Sequence, residues 1–322
     1  MRQAAEAAAF DGGSGSLRSQ RGGPVDSTAS FTVAAWVSPL MNDMLGTPVY
    51  SAALSQEGIV AGSFYLGVRK GRWDFTMKDE DTNEPGHSIS TTGPAATADG
   101  TSWVQLTGVH DAHAHEIRLY VNGDRVDSQP FTSPWTASGP LTLGRALAHS
   151  LPSDFWRGAI GDVRIYDSAL SDDQVAKERG SGKPTSPPPA PPDPPKEVLA
   201  LDGVWVYDMT SEESRRLEGL FGAEAAAAGF PGQASVVQHF ARGRWQQYYL
   251  IDGQPYLLDG YPEGDGGLVT VKGDTANLSR PLMPGPAYRW SVRDKTLSLR
   301  LVTPDPDPVV GFVMEHDYRR VT

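Results

Sequence analysis

Phe31-Thr-Val-Ala-Ala-Trp-Val37 and Ile117-Arg-Leu-Tyr-Val121 decide the fold class. In the first stretch Phe31, Val33, Ala35 and Val37 fall on one face of an extended chain. Side chains along a strand alternate with period two, so both stretches read as half-buried strands rather than helices. Asn122-Gly123 follows the second directly and supplies the dipeptide that accepts positive φ in a tight hairpin. Working outward, 103–109, 141–145 and 159–166 are further short strands, set apart by clusters of Gly, Pro, Asp and Asn. Such spacing predicts an antiparallel β-sandwich. Residues 171–178 predict a short closing helix, with Ser171 as its cap and Asp172 and Asp173 in its first turn.

Lys183-Pro-Thr-Ser-Pro-Pro-Pro-Ala-Pro-Pro-Asp-Pro-Pro-Lys196 divides the chain. So many prolines forbid helix and central strand and favour a stiff polyproline spacer; a ligand for an SH3-type domain is the alternative. The expected organisation is a sandwich over 1–180, a linker over 181–197 and a second domain over 198–322. That second part opens with a strand at 203–207 and one amphipathic helix over about 211–228. Thr210 and Glu213 have capping-box spacing, and Leu217, Leu220 and Phe221 form an apolar stripe. Strands are then expected at 235–240, 244–251, 256–258, 267–272, 287–293, 296–302 and 309–318. A meander of that many strands on one short core closes into a small barrel, which removes exposed edges. The expected fold class is therefore all-β, a sandwich followed by an antiparallel barrel with one helix.

Bulk properties narrow the functions. The 322 residues carry a formal charge of -11, and neither half has the basic excess that a nucleic-acid backbone demands. No cysteine is present, which removes disulfides, thiolate zinc sites and a cysteine nucleophile. Met1 to Phe10 has no apolar run of the signal-peptide kind, so the chain is read as cytoplasmic or as a mature form with an added start methionine. No stretch approaches 18 apolar residues, so no membrane-spanning helix is expected.

A run of ordered motifs carries a family likeness. Phe10-Asp-Gly12, Ser30–Val37, Ser55-Gln-Glu-Gly58, Phe64-Tyr-Leu-Gly67, Trp103–Asp111, Arg118–Gly123, Gly139–Arg145 and Gly158–Asp167 follow one another in sequence. Over residues 8–178 the chain resembles the LamG-like (laminin G, concanavalin A-like) jellyroll of bacterial secreted proteins. The second part resembles the lipocalin and calycin barrels, through Gly203-Val-Trp205 near its start and Arg319-Arg320 at its end. In those barrels a late arginine covers the tryptophan, combining packing with cation–π attraction.

The LamG resemblance implies a non-catalytic secreted or cell-surface protein that binds a glycan or an extracellular protein. It also implies a calcium ion, with Asp11 and Asp162 at the matching positions; Gly161 stands where the family often has a second acid. The alternative reading is that both aspartates cap turns. An atypical glycoside hydrolase and a structural protein–protein adaptor remain as alternatives. A glycosidase of this fold needs two carboxylates on one strand face, and no Glu-x-Asp-x-Glu occurs. The acidic run 78–84 reads as a solvated loop. His110, His113 and His115 near Asp111 and Glu116 raise zinc, against a solvated turn. Gly180-Ser-Gly-Lys183 precedes a proline and opens no phosphate-binding helix. Trp73, Trp135 and Trp156 lie next to turns and are the candidates for stacking on sugar rings, whereas Trp36 and Trp103 lie within strands and read as core. Tyr248, Tyr249, Tyr256, Tyr261, Tyr288 and Trp290 could line a pocket in the barrel, but a barrel this small is expected to be filled by its own side chains.

Overall fold

The computed structural model describes residues 7–13, 15–40, 50–97, 99–148, 150–191, 193–215, 234–251, 254–256, 265–279, 287–302 and 315–321. They form two compact units, the first continuing through Asp193 and the second starting at Pro194. Among the described residues no helix is long and apolar enough to cross a membrane.

The first unit holds β1 (Ala7–Asp11), β2 (Leu17–Gly22), β3 (Phe31–Pro39), β4 (Tyr50–Glu57), β5 (Gly62–Arg69), β6 (Arg72–Lys78), β7 (Ser88–Ser90), β8 (Val104–Asp111), β9 (Glu116–Val121), β10 (Asp124–Pro130), β11 (Pro140–Leu143), β12 (Ala146–Ala148), β13 (Leu151–Ser153), β14 (Arg157–Tyr166) and helix α1 (Asp172–Lys177). Two six-stranded sheets form, ordered β1-β14-β3-β8-β9-β10 and β2-β11-β4-β5-β6-β7, with β12 and β13 as a separate hairpin. All pairings are antiparallel. The alternation of β3 sets the register: Phe31 lies opposite His110, Val33 opposite Gly108, Ala35 opposite Leu106 and Val37 opposite Val104. From the second sheet Phe64, Leu66, Phe75 and Met77 meet this row and are buried. Phe31 is 5.3 Å from Phe64 and 6.3 Å from Phe75, ring centre to ring centre. Gly108 makes that approach possible, because a Cβ there would lie 2.5 Å from the Phe75 ring.

The segment expected to be linker begins as part of this unit. Helix α1, capped by Ser171 and Gln174 as a capping box, seats Leu170 and Val175 against Val109 and Tyr120 on the outer face of the first sheet. Residues 178–186 then cross the same face as a strap. The Trp36 indole donates to the Ser181 carbonyl (2.9 Å), the Trp103 indole to the Ser186 carbonyl (3.0 Å), and Gln105 to the Glu178 carbonyl (3.1 Å). Lys183 sits over the Trp36 ring at 5.6 Å, and Pro184 is buried beside Gly161. Carbonyls of an extended segment here satisfy indole donors that the sheet itself leaves open.

The second unit contains α2 (Lys196–Leu199), β15 (Gly203–Asp208), β16 (Ala234–Ala241), β17 (Arg244–Ile251), β18 (Gln254–Tyr256), β19 (Asp265–Lys272), β20 (Thr275–Ser279), β21 (Ala287–Arg293), β22 (Thr296–Leu301) and β23 (Asp317–Arg320). Each strand pairs with its neighbours in the order β16-β15-β23-β22-β21-β20-β19-β17, and β16 also pairs with β17, giving a nearly closed antiparallel barrel. Strand β20 has no counterpart among the sequence expectations. Residues 211–215 are helical, and Thr210 and Glu213 form the expected box. The remainder of that helix, with Leu217, Leu220 and Phe221, and residues 309–314 lie outside the described residues. The barrel interior is filled by Trp205, Phe240, Trp245, Tyr249, Tyr288, Leu297 and their neighbours. Tyr249 and Tyr288 are thus core residues, and Trp290 packs against that core. Tyr261 lies outside the described residues, as do the side chains of Tyr248 and Tyr256. Trp205 is fully buried, donates to the Leu201 carbonyl (2.8 Å) and carries the Arg320 guanidinium 5.3 Å above its ring.

Candidate functional site

The outer face of the second sheet is polar from edge to edge. Pairing places Arg18 opposite Thr142, Thr142 opposite Ser55, Ser55 opposite Tyr65, Tyr65 opposite Thr76 and Thr76 opposite Ser90. One transverse row therefore crosses all six strands without an aliphatic side chain. Strands turn alternate residues to opposite faces, so the price of an apolar interior row is this outward one.

Two parts of the face differ. At the β11–β4 side, Glu57 is buried and accepts from Arg145 (2.7 Å), Thr142 (2.9 Å) and the half-exposed Arg18. Burial pushes the Arg145 guanidinium down, opposed by the Glu57 charge. The β12–β13 segment roofs this half: Ser55 donates to the Arg145 carbonyl (2.9 Å) and Tyr65 to the Leu147 carbonyl (3.1 Å). At the β6–β7 side, Asp74 is buried with its carboxylate 3.2 Å from Arg69 Nε and accepting from Thr76 (2.6 Å), which in turn meets Ser90 (2.6 Å). Burial pushes the Asp74 carboxyl up, with the Thr76 and Arg69 contacts working against it. Next to it lies an open cleft of about 180 Å³ lined by Arg69, Lys70, Arg72, Trp73, Asp74, Thr91 and Thr92.

Two sequence expectations are corrected here. Trp73 and Trp156 are only 2% and 0% exposed and belong to the core. Trp73 faces inward opposite Val68, so neither indole can stack on a ligand. Trp135 is half-buried; its ring edge lies over Gly58, where a Cβ would come within 2.5 Å of it. Proximity to a turn says nothing about which way a side chain points, and a large apolar ring goes inward when the turn allows it.

The two aspartates expected to share calcium are not neighbours. Asp11 lies opposite Arg157 on β14, whereas Asp162 is five residues further along that strand, about 17 Å at a strand's rise. Asp11 Oδ1 accepts from the amides of Gly13 (2.8 Å) and Gly15 (3.0 Å), and Asp162 pairs with Arg164 (2.8 Å). The carboxylates cap a turn and hold an arginine, and this donor set does not fit one shared ion. Among the described residues no group of three or more His, Asp or Glu is placed to hold a metal. His110 is buried between Phe31 and Phe131, its Nδ1 2.9 Å from the Ala29 carbonyl, while His113 and His115 stay exposed in the turn.

The acidic run is more ordered than a solvated loop. Asp81 accepts from the amides of Ile59 (2.7 Å), Val60 (2.9 Å) and Ala61 (2.8 Å), fixing the β4–β5 turn, and Lys78 is buried. Glu57 and Asp74 are the carboxylates that this sheet's strands turn outward. They lie opposite Gly62 and Gly67 on β5, again about 17 Å apart along the strand. Glycosidase pairs sit about 5–10 Å apart, so this spacing does not match that arrangement.

The first unit's architecture has a counterpart in sequence. Residues 11–176 match the family described as the Concanavalin A-like lectin/glucanases superfamily, more than half of the chain. The chain belongs to this superfamily. No curated protein matches it. Solved structures similar to this superfamily member include the heptameric SAP-like pentraxin of Limulus polyphemus, with 14% identity, 55% of this chain and 82% of that chain covered, and a TM-score of 0.40. Another is the Ruminococcus gnavus IT-sialidase CBM40 bound to alpha2,3 sialyllactose, with 16% identity, 52% and 97% coverage and a TM-score of 0.38. A third is domain 4 of a GH43 extracellular arabinanase from Geobacillus stearothermophilus in complex with arabinotriose, with 20% identity, 54% and 76% coverage and a TM-score of 0.35.

Proposed function

We propose that the sandwich is a non-catalytic binding module, displayed outside the cell, that recognises a glycan on the open half of its second sheet. One observation supports this above others: Arg69 and Ser90, held in place by the buried Asp74 and Thr76 on rigid strands, stand beside an open cleft. Sugars are bound through such convergent polar groups, and strands hold them with little entropy left to lose. The wide separation of Glu57 and Asp74 favours binding over hydrolysis. Calcium has no part in this reading. The barrel, which we propose is lipocalin-like through its Trp205–Arg320 pair, serves as a packed companion module.

The test is a glycan array probed with the intact chain, with calcium and again with chelator. Binding that survives chelation and is lost in Asp74→Ala and Thr76→Val is expected. Silence across the array, or binding indifferent to both substitutions, would overturn the reading and leave an extracellular protein as the partner.

A further inference from the structure

We propose that the ligand of this cleft is an acidic glycan, one bearing carboxylate or sulfate groups; the inference rests on the binding reading above. The β5–β6 hairpin places Arg69 directly opposite Arg72 and joins them through Lys70 and Gly71, both with positive φ (50° and 71°). Three cations thus occupy four consecutive positions at one tip of a chain whose net charge is -11. Like charges directly opposite across a strand pair oppose folding, and an uncharged Asn-Gly would make the same turn without that cost. The fold uses only one of the three. Arg69 is held by Asp74, whereas Lys70 and Arg72 are exposed and make no ion pair among the described residues.

Two carboxylates lie close, and both are engaged elsewhere. Asp74 is taken by Arg69 and Thr76, and Asp127 accepts from the Thr92 amide (2.7 Å) and from Gln129 (3.2 Å). Lys70 and Arg72 therefore line this open cleft with their charge uncommitted. A guanidinium grips a carboxylate or sulfate through paired hydrogen bonds, and an ammonium beside it adds a mobile point charge. The same cations attract an acidic polymer over a distance set by ionic strength. A neutral glycan would gain nothing from these two charges.

The experiment compares the intact chain on dextran and dextran sulfate, which share a backbone, and on alginate, a polyuronate, at low and physiological salt. The variants are Arg72→Glu with Lys70→Asn, which keeps a residue tolerant of positive φ, and Lys177→Glu on α1 as a control; thermal melts show that each is folded. Dextran sulfate and alginate are expected to bind about tenfold or more tighter than dextran, with the advantage shrinking as salt rises. The double variant is expected to lose about fivefold or more on the acidic polymers alone, and the control nothing. Equal affinity for dextran and dextran sulfate, or a double variant that binds like the parent, would overturn the inference. Neutral glycans bound in an Asp74-dependent way with no acidic preference would sink it and leave the binding reading standing. Silence on every glycan would remove both.

Discussion

The two outward faces of the sandwich are treated in opposite ways. On the first sheet, Trp36, Val109 and Tyr120 point out among polar neighbours such as Gln105, and the chain's own tail, α1 and the 178–186 strap, closes over them. On the second, hydroxyls and charges point out, and the β12–β13 segment covers only the half that holds Glu57. An outward indole requires a cover, whereas an outward Thr or Asp tolerates water. The face that remains open is therefore the one whose side chains had no need of a lid.

The contrast can be broken by substitution, and the largest effect is expected under the strap. Trp36→Ala removes a buried ring together with the anchor of Ser181 and Lys183, and is expected to cost about 3–5 kcal/mol in a urea titration. A loss below about 1 kcal/mol would show that the strap does not seal this face. On the roofed half of the other face, Glu57→Ala strands the buried Arg145 and is expected to cost about 3 kcal/mol. Its half-exposed partner gives the internal comparison: Arg18→Ala should cost less than about 1 kcal/mol.

Between the faces lies His110, whose imidazole is pushed below its ordinary range mainly by burial. The unfolded chain therefore takes up its proton first as pH falls. Stability from this group is complete above about pH 6.5 and declines below it by up to about 1.4 kcal/mol per pH unit until the folded-state value is reached. Melting temperatures between pH 8 and 5 should follow that slope, and His110→Gln should flatten it. His239 in the barrel is shifted the same way, so an unchanged slope in the variant would move the effect there. The smallest effect belongs to Lys183→Ala, about 0.5–1 kcal/mol for one cation over one ring, readable as a shift in denaturation midpoint.

How far the sequence could be read follows the same division between local and tertiary causes. The phase of β3, β8 and β9 was legible because alternation is local, and the match of Phe31 with His110 confirms it in register. The barrel strands were legible in the same way, although β20, joined to β19 by a two-residue turn, escaped notice. The indole roles were not legible. Trp73 and Trp156 sit beside turns yet pack inward, and Trp36 sits mid-strand yet faces outward under a strap that begins 142 residues later. Pairing of Asp11 with Asp162 failed for the same reason: family position put them on adjacent strands, but only register shows them at different heights. The Arg69–Asp74 pair is within reach of inspection, since an arginine and an aspartate flank a Lys-Gly turn, but its burial is a property of the assembled face.

Sheet order also governs how the molecule meets copies of itself. The barrel runs round almost to closure, whereas among the described residues each sheet of the sandwich ends in strands paired on one side only, β1 and β10 in one sheet and β2 and β7 in the other. Strand β7 is three residues long, β10 carries Asp124, Arg125 and Asp127 with a register break between the last two, and β2 carries Arg18. Short length, charge and irregularity each discourage a foreign strand from adding on.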